Sequence, residues 1–529
     1  MTDIDVKRIT GSIEPLASAG VSTSKIVCRS VVDGANSNVG KQQSSTLNRF
    51  GDKDEYLAKR KLMPAYANWI HVWGFIVGTV ISGSFSGFNA GYANGLGSMI
   101  VAHVFASILM ITVSLNLMEL ATAMPFASGC AAYASGAFNG VVACFIGYAY
   151  TFDMVFIGAE VTNFFGSALE MLFATGHDLG IMYYLLTIFV CMAINFYPKA
   201  FFNVITVTSA ISCLLVVVPL FATASHFNYQ NAFITPITSA NGTVTFSTDF
   251  LPFGIEGVIN SFPLALYLLI CFESMPCCVE ETQTIASSIP KGMFAANLTL
   301  IPLSWIALVV TAGMPPGGIA LQSAMLPYSS ILVTAFQLSS EQIVILISLP
   351  AVFSSQLAIY YATTRYIYGL SRGGYMPPIL SLTTNNGAPY TAMLATSTMF
   401  ALLSIVLQYS PDPETARIFL VIGTIFALTA YIVQPILFIR LRYRLPALPR
   451  PFNVKSFGIP VAIINLWCLL WVAIGYACLV PFYIFVVRHN LMDSPEKLFI
   501  RRQLDTMLRE SLISAGSRIP RGGNHTPDH

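Results

Sequence analysis

Ile81-Ser82-Gly83-Ser84-Phe85-Ser86-Gly87-Phe88-Asn89-Ala90-Gly91 lies midway along an apolar run near residues 70–95. The run is long enough to cross a bilayer as a helix, yet its middle carries three glycines and three serines. Each glycine lowers helix stability by about 1 kcal/mol relative to alanine. A break there frees backbone amides and carbonyls that lipid cannot satisfy, so it is tolerable only where it lines a cavity inside the protein. The same small residues also suit close packing between two unbroken helices. Taken alone, the stretch allows both readings.

A second interruption bears on the choice. Asn260-Ser261-Phe262-Pro263, followed by Leu264-Ala265-Leu266-Tyr267, places a proline inside the apolar run near 256–275. Proline removes an amide donor and clashes with the preceding turn. These runs are the first and sixth along the chain, which makes them equivalent if helices one to five and six to ten are inverted repeats. A matched pair of interrupted helices is the best sequence pointer to a midplane binding site in a transporter. Free amides there attract an anionic group and free carbonyls attract a cation. Substrate contacts are therefore expected from Ser82, Gly83, Ser84, Phe85, Gly87 and Phe88 in the first break, and from Ala265, Leu266 and Tyr267 in the second.

The rest of the chain suits that setting. Of its 529 residues, 55% are hydrophobic and 10% charged, against about 25% charge in an ordinary soluble domain. Eleven apolar segments are read near 70–95, 98–122, 138–166, 180–198, 202–224, 256–275, 293–313, 341–370, 390–408, 416–439 and 459–487. Backbone amides in lipid must be satisfied within the segment, so these are helices. The short alternating strands of a membrane β-barrel are not seen. The expected class is an all-α polytopic membrane protein with helices 1 and 6 broken. Residues 459–487 are too few for two full crossings and too many for one upright helix. Eleven or twelve crossings result, with two short tilted helices turning near Gly475. The expected organisation is a disordered tail over 1–64, a core over 65–455, the C-terminal membrane segment or segments over 456–488, and a tail over 489–529.

Basic residues set the orientation. Lys59, Arg60, Lys61, Lys199, Lys291, Arg372, Arg440, Arg442, Arg444, Arg450 and Lys455 all fall on one side, which places the N-terminus in the cytoplasm. Arg417, near a helix end, is the exception. With a polar N-terminus, no cleavable signal peptide is expected. The sequon Asn241-Gly-Thr243 lies on the opposite side, where Asn241 is a candidate for glycosylation. A net charge of +2 without a basic stripe gives no reason to expect nucleic acid. The ten cysteines lie mostly within apolar runs and none has metal-ligand spacing, so no metal or cofactor is expected.

Ionisable groups at bilayer depth cost about 2.5–3.5 kcal/mol each on insertion scales and are functional candidates by default. Asp153 and Glu160 are seven residues apart, on one face of the third segment. They suit an ammonium group or a transported proton, and equally a structural bond between helices. Glu119, Glu273 and Arg365 suit either a cytoplasmic gate or a structural charge network. His103 stands alone and reads as a packed histidine. Ser354 and Ser355 in the eighth segment are candidate ligands for a sodium ion, which prefers oxygen, or an ordinary serine pair. The fifth segment holds no lysine to stand in for such a cation.

Several ordered motifs resemble the amino acid–polyamine–organocation superfamily of permeases, over roughly residues 70–455. They are Glu119-Leu120 with Pro125, Gly129 and Tyr133; Val279-Glu280-Glu281-Thr282 followed by Ile289-Pro290-Lys291-Gly292; and Arg365-Tyr366-Ile367-Tyr368-Gly369-Leu370-Ser371-Arg372-Gly373-Gly374-Tyr375-Met376-Pro377 with Gly387-Ala388-Pro389. The resemblance implies the five-plus-five inverted-repeat fold of the leucine transporter, with alternating access around helices 1 and 6. Within the superfamily, the Ile81–Asn89 stretch is most similar to ethanolamine permeases. Two departures are the missing basic residue before Ile289-Pro290 and an abbreviated C-terminal helix pair.

The resulting expectation is a secondary transporter in the plasma membrane for amino acids or a small amine such as ethanolamine, coupled to H+ or Na+. A nutrient sensor that keeps the fold and signals through its tails is the alternative. A disulfide-linked heavy chain is not expected, since residues 167–179 contain no cysteine. No nucleophile–base or metal constellation points to an enzyme.

Overall fold

A computed structural model describes residues 59–466, apart from 86, 175–178, 223, 239–243, 316, 323, 325–326, 328–340 and 411–413. The glycosylation candidate Asn241, residues 1–58 of the N-terminal tail, the C-terminal tail and most of the eleventh apolar segment lie outside the described residues. Ten helices are labelled here in chain order. They are α1 (Trp69–Val80), α2 (Leu96–Ala123), α3 (Gly140–Phe173), α4 (Gly180–Asn195), α5 (Pro198–Ala222), α6 (Gly254–Tyr267), α7 (Ile285–Gly313), α8 (Glu341–Arg372), α9 (Tyr390–Tyr409) and α10 (Glu414–Arg444). Short helices at Cys130–Ala137, Tyr229–Phe233 and Gly318–Leu321 fill connections. An antiparallel hairpin, β1 (Thr235–Thr238) with β2 (Val244–Ser247), lies between α5 and α6. Among the described residues, eight helices are long and apolar enough to cross a membrane, or nine if a bent pair around residue 85 counts as one span. The chain is therefore an integral multi-pass membrane protein.

Local chemistry sets the helix ends. Asn68 caps α1, its side-chain oxygen accepting from the amides of Ile70 and His71, while the Asn68 amide donates to His71 Nδ1. Asn139 caps α3 by accepting from Val142 N. Orphan amides at helix starts are thereby satisfied at the membrane boundary. α2, 28 residues long, extends about 42 Å at 1.5 Å per residue, more than a hydrocarbon core of about 30 Å requires.

The packing repeats with a shift of five helices. α6 packs on α2 as α7 packs on α1, and α10 packs on α3 as α5 packs on α8. α3 against α8, which the shift maps onto itself, forms the central contact. This is the arrangement of a five-plus-five inverted repeat, and each half opens with a helix that stops short. α1 gives way to 3-10 turns at Ile81–Ser84 and Phe88–Asn94. The turn at Phe272–Glu281 follows α6 in the same manner.

One expectation is corrected in detail. Pro263 does not interrupt the sixth helix, because α6 runs through it to Tyr267. A single missing donor inside a packed helix is tolerated where neighbours meet the freed carbonyl. The regular helix stops instead over residues 268–271, where Cys271 takes a left-handed conformation at φ 73°. A non-glycine residue rarely adopts that region, and one residue there ends a helical turn.

Charged groups concentrate at the end of the bundle that carries Lys59–Ala67. Arg365 of α8 is fully buried against Glu281, with guanidinium–carboxylate distances of 3.1 and 3.2 Å. The Tyr361 hydroxyl donates to the same carboxylate, and its ring lies 4.1 Å from the guanidinium carbon. Arg372 pairs with Glu280, which also accepts from Ala127 N at 2.8 Å. Glu119 at the end of α2 accepts from Arg442 at 2.6 Å and Val454 N at 3.0 Å, and forms an ion pair with Arg450 at 3.2 Å.

A buried pair stripped of one member leaves a naked charge, which costs about 3–5 kcal/mol, whereas replacing both members by apolar groups is often neutral. Glu281→Ala is accordingly expected to lower stability by about that amount, read as a fall in thermal midpoint of the purified protein. Arg365→Met combined with Glu281→Met should recover most of the loss. Wild-type stability of Glu281→Ala would show that the pair contributes nothing.

Candidate functional site

The ends of α1 and α6 meet in the middle of the bundle, and glycine makes the meeting possible. A Cβ on Gly83 would lie 2.8 Å from the Tyr267 carbonyl oxygen. One on Gly87 would overlap the Tyr267 ring, and Gly87 also sits at φ 89°. Both positions therefore require glycine, the second for space and for backbone conformation together. Ser84, Phe85, Phe88, Ala265 and Leu266 are buried around this contact. Ser82, Gly87, Tyr267 and Glu160 keep some accessible surface.

The freed backbone of the first break is met from α8. Ser82 N donates to Ser355 Oγ at 3.2 Å, and Ser355 Oγ donates to Gly78 O at 2.8 Å. Next to it, Ser354 Oγ lies 3.1 Å from both Thr208 Oγ1 and Ser209 Oγ, and Ser209 Oγ donates to Gly74 O at 2.7 Å. The two serines considered as sodium ligands thus belong to a chain of hydroxyls that joins α1, α5 and α8. Thr208 and Ser209 carried no signal in the sequence, because hydroxyl residues are ordinary in membrane helices.

Three carboxyl groups converge on the interruption after α6. Asp153, Glu160 and Glu273 all lie within electrostatic reach of Cys271. Asp153 stands beside Glu273, and Glu160 is close to Tyr267. Glu273 Oε2 accepts from the Tyr431 hydroxyl at 2.5 Å. Neither oxygen of Asp153 has a hydrogen-bond partner, nor do Glu273 Oε1 and Glu160 Oε2. No arginine or lysine pairs with any of the three among the described residues. Two carboxylates side by side in a low-dielectric interior repel strongly unless a proton or another cation lies between them.

Of the residues singled out from the sequence, Gly83 and Gly87 meet Tyr267, Ser82 meets Ser355, and Asp153 meets Glu273. Glu119 and Arg365 stand apart, each held in the ion pairs at the Lys59–Ala67 end. Tyr431 and Cys271 were not anticipated, since neither a tyrosine in the tenth segment nor a cysteine beside a glutamate is distinctive in an apolar sequence.

Comparison with known proteins gives this arrangement a family. The amino acid permease family model matches residues 68–499. The branched-chain amino acid permease of Bacillus subtilis (strain 168) is 29% identical over 243 residues, which are 45% of this chain and 50% of that protein. The gamma-aminobutyric acid permease of Escherichia coli (strain K12) is 22% identical over 405 residues, 76% of this chain and 84% of that protein. The D-serine/D-alanine/glycine transporter of the same strain is 22% identical over 290 residues, 54% of this chain and 57% of that protein. The alignment thus spans half the length of the Bacillus relative and most of the gamma-aminobutyric acid permease. The chain belongs to the amino acid permease family.

Proposed function

We propose that this amino acid permease is a secondary transporter that carries an amino acid or a small amine such as ethanolamine by alternating access around the ends of α1 and α6. One observation carries the reading: Asp153, Glu160 and Glu273 lie within electrostatic reach of the interruption after α6, near the contact of Tyr267 with Gly83 and Gly87, and none of them has a cationic partner among the described residues. A buried carboxylate without a partner costs several kcal/mol, and an arriving ammonium group or proton removes that cost. Asp153 is assigned the ammonium group of the substrate. Backbone amides around Ser82–Gly87 take its polar end, and Phe85, Phe88 and Tyr267 form the aromatic walls. The relatives' names, which specify branched-chain amino acids, gamma-aminobutyric acid and small amino acids, agree with an amine-bearing substrate.

The coupling ion assigned is H+. The carboxyls around Cys271 offer a place for a transported proton, while the hydroxyls of Ser354 and Ser355 already have protein partners. The bias of basic residues supports a cytoplasmic N-terminus, and a protein of this kind that feeds a cell belongs in the plasma membrane. The transport core is assigned to residues 65–455.

Uptake into a transport-deficient cell, screened across ethanolamine, gamma-aminobutyric acid and α-amino acids, tests the reading. At least one substrate should accumulate, faster at acidic external pH and at an unchanged rate when sodium is replaced by N-methyl-D-glucamine. Loss of uptake on removing sodium would overturn the coupling assignment, and no accumulation with the protein at the surface would overturn transport itself. Asp153→Asn should cut uptake about tenfold or more at unchanged abundance, as expected when a buried charge loses its counter-ion. Gly83→Leu, which forces a side chain into the Tyr267 carbonyl, should abolish uptake; a fully active variant would place the substrate elsewhere.

A further inference from the structure

His103, on α2, lies outside the carboxyl cluster and is fully buried. Its Nδ1 is 3.1 Å from Ala265 O and its Nε2 is 2.9 Å from Ser304 Oγ on α7. The Trp305 indole packs edge-on against the imidazole at 4.9 Å between centroids. That indole is itself fixed, since Trp305 Nε1 donates to Ser107 Oγ at 3.1 Å. Ser107 in turn donates to His103 O at 2.7 Å.

The carbonyl at the centre of this arrangement is special. In a continuing α-helix, Ala265 O would accept from Leu269 N. Here the Leu269 amide donates instead to Leu266 O at 2.8 Å, and the Leu268 amide also turns to Leu266 O. Ala265 O is thus freed by the end of α6, inside a membrane span where water is excluded and an unmet carbonyl is costly. A carbonyl only accepts, so Nδ1 of His103 carries the hydrogen. Ser304 Oγ, which donates to Ile301 O at 2.8 Å, holds the other side of the ring at 2.9 Å from Nε2.

We infer that His103 is a positioning residue, which holds the freed Ala265 carbonyl and thereby fixes the shape of the interruption that presents Tyr267 and the carboxyl cluster. It makes no assigned contact with substrate. The bonds run from α2 through the imidazole to α6 on one side and α7 on the other, so the ring sets the place where α6 stops relative to both neighbours. The inference rests on the reading of this interruption as the substrate site, but its structural half is measurable without any substrate.

The test compares the full-length wild type with His103→Leu, His103→Asn and Ser304→Ala. Asparagine keeps an N–H at the position of Nδ1, whereas leucine fills the space without one. Hydrogen–deuterium exchange of residues 266–273 in bilayer nanodiscs should accelerate about tenfold in His103→Leu and stay within about threefold of wild type in His103→Asn. Uptake should show a KM raised about tenfold in His103→Leu with unchanged surface abundance, and near-normal KM in His103→Asn. Ser304→Ala, the variant to use if the leucine protein does not fold, should raise KM about threefold. Wild-type exchange and KM in either His103→Leu or Ser304→Ala would overturn the inference. An asparagine variant as impaired as leucine would also overturn it, because volume alone would then explain the histidine. A wild type that transports nothing but shows the expected exchange pattern would sink the transport reading and leave the positioning role standing.

Discussion

A helix that stops inside a bilayer releases polar backbone groups into a medium that offers no hydrogen bonds. Each unmet group costs several kcal/mol there, which is a large fraction of the net stability of a typical domain. Two such stops, after Val80 and after Tyr267, therefore dictate much of what surrounds them. α8 supplies Ser355 to the amide of Ser82, and α2 supplies His103 to the carbonyl of Ala265. Gly83 and Gly87 let the two ends touch with almost no side chain between them. The polar residues of the neighbouring helices are thus placed by the backbone they complete.

Charge is sorted by the same economy of solvation. At the Lys59–Ala67 end every acidic group described above has a basic partner: Glu281 has Arg365, Glu280 has Arg372, and Glu119 has both Arg442 and Arg450. Near the end of α6, and among the described residues, Asp153, Glu160 and Glu273 have no cationic partner, and of the three only Glu273 accepts a hydrogen bond, from Tyr431. Structural ion pairs bring their own counter-charge and keep it. A group that must hold and release a cation cannot be permanently paired, so it must instead carry an energetic deficit that the cation removes. The paired charges at the Lys59–Ala67 end thus differ in kind from the carboxyls near the end of α6.

The first interruption was legible because glycine at Gly83 and Gly87 is expensive in a helix and needs a reason that composition alone does not supply. The second was legible only approximately. Pro263 marked the right helix, but α6 tolerates one missing donor and stops later, at Leu268–Cys271, where no residue type announces a left-handed turn. Asp153 and Glu160 stood out by charge against an apolar background. Their convergence with Glu273 did not, since it depends on how α3 packs near the end of α6. Glu119 and Arg365 looked like possible gate residues because sequence shows a charge without its partner, and Arg442 lies 323 residues from Glu119 along the chain. His103 read as a packed histidine for a similar reason: its two bonds go to a backbone carbonyl and a serine, neither of which distinguishes itself in sequence.

The repeat clarifies which contacts are free to change. Under the five-helix shift, α2 against α6 corresponds to α7 against α1, and both interfaces carry a hydrogen bond from an aromatic nitrogen: His103 to Ala265 O, and Trp73 Nε1 to Thr299 Oγ1 at 3.1 Å. The two are placed differently along their helices. The bond to α6 lands on the carbonyl freed where that helix stops, whereas Trp73 lies a full two turns before the end of α1. The end of α1 is anchored instead to α8, through Ser82 and Ser355. Each end is thus fastened to a different set of helices, while the contact of Gly83 and Gly87 with Tyr267 is van der Waals packing. Separating the two ends along that contact forfeits dispersion energy of about 0.1–0.2 kcal/mol per atom pair, far less than breaking a buried hydrogen bond. The two helix ends thus touch each other by packing, while each is fastened by hydrogen bonds to other helices.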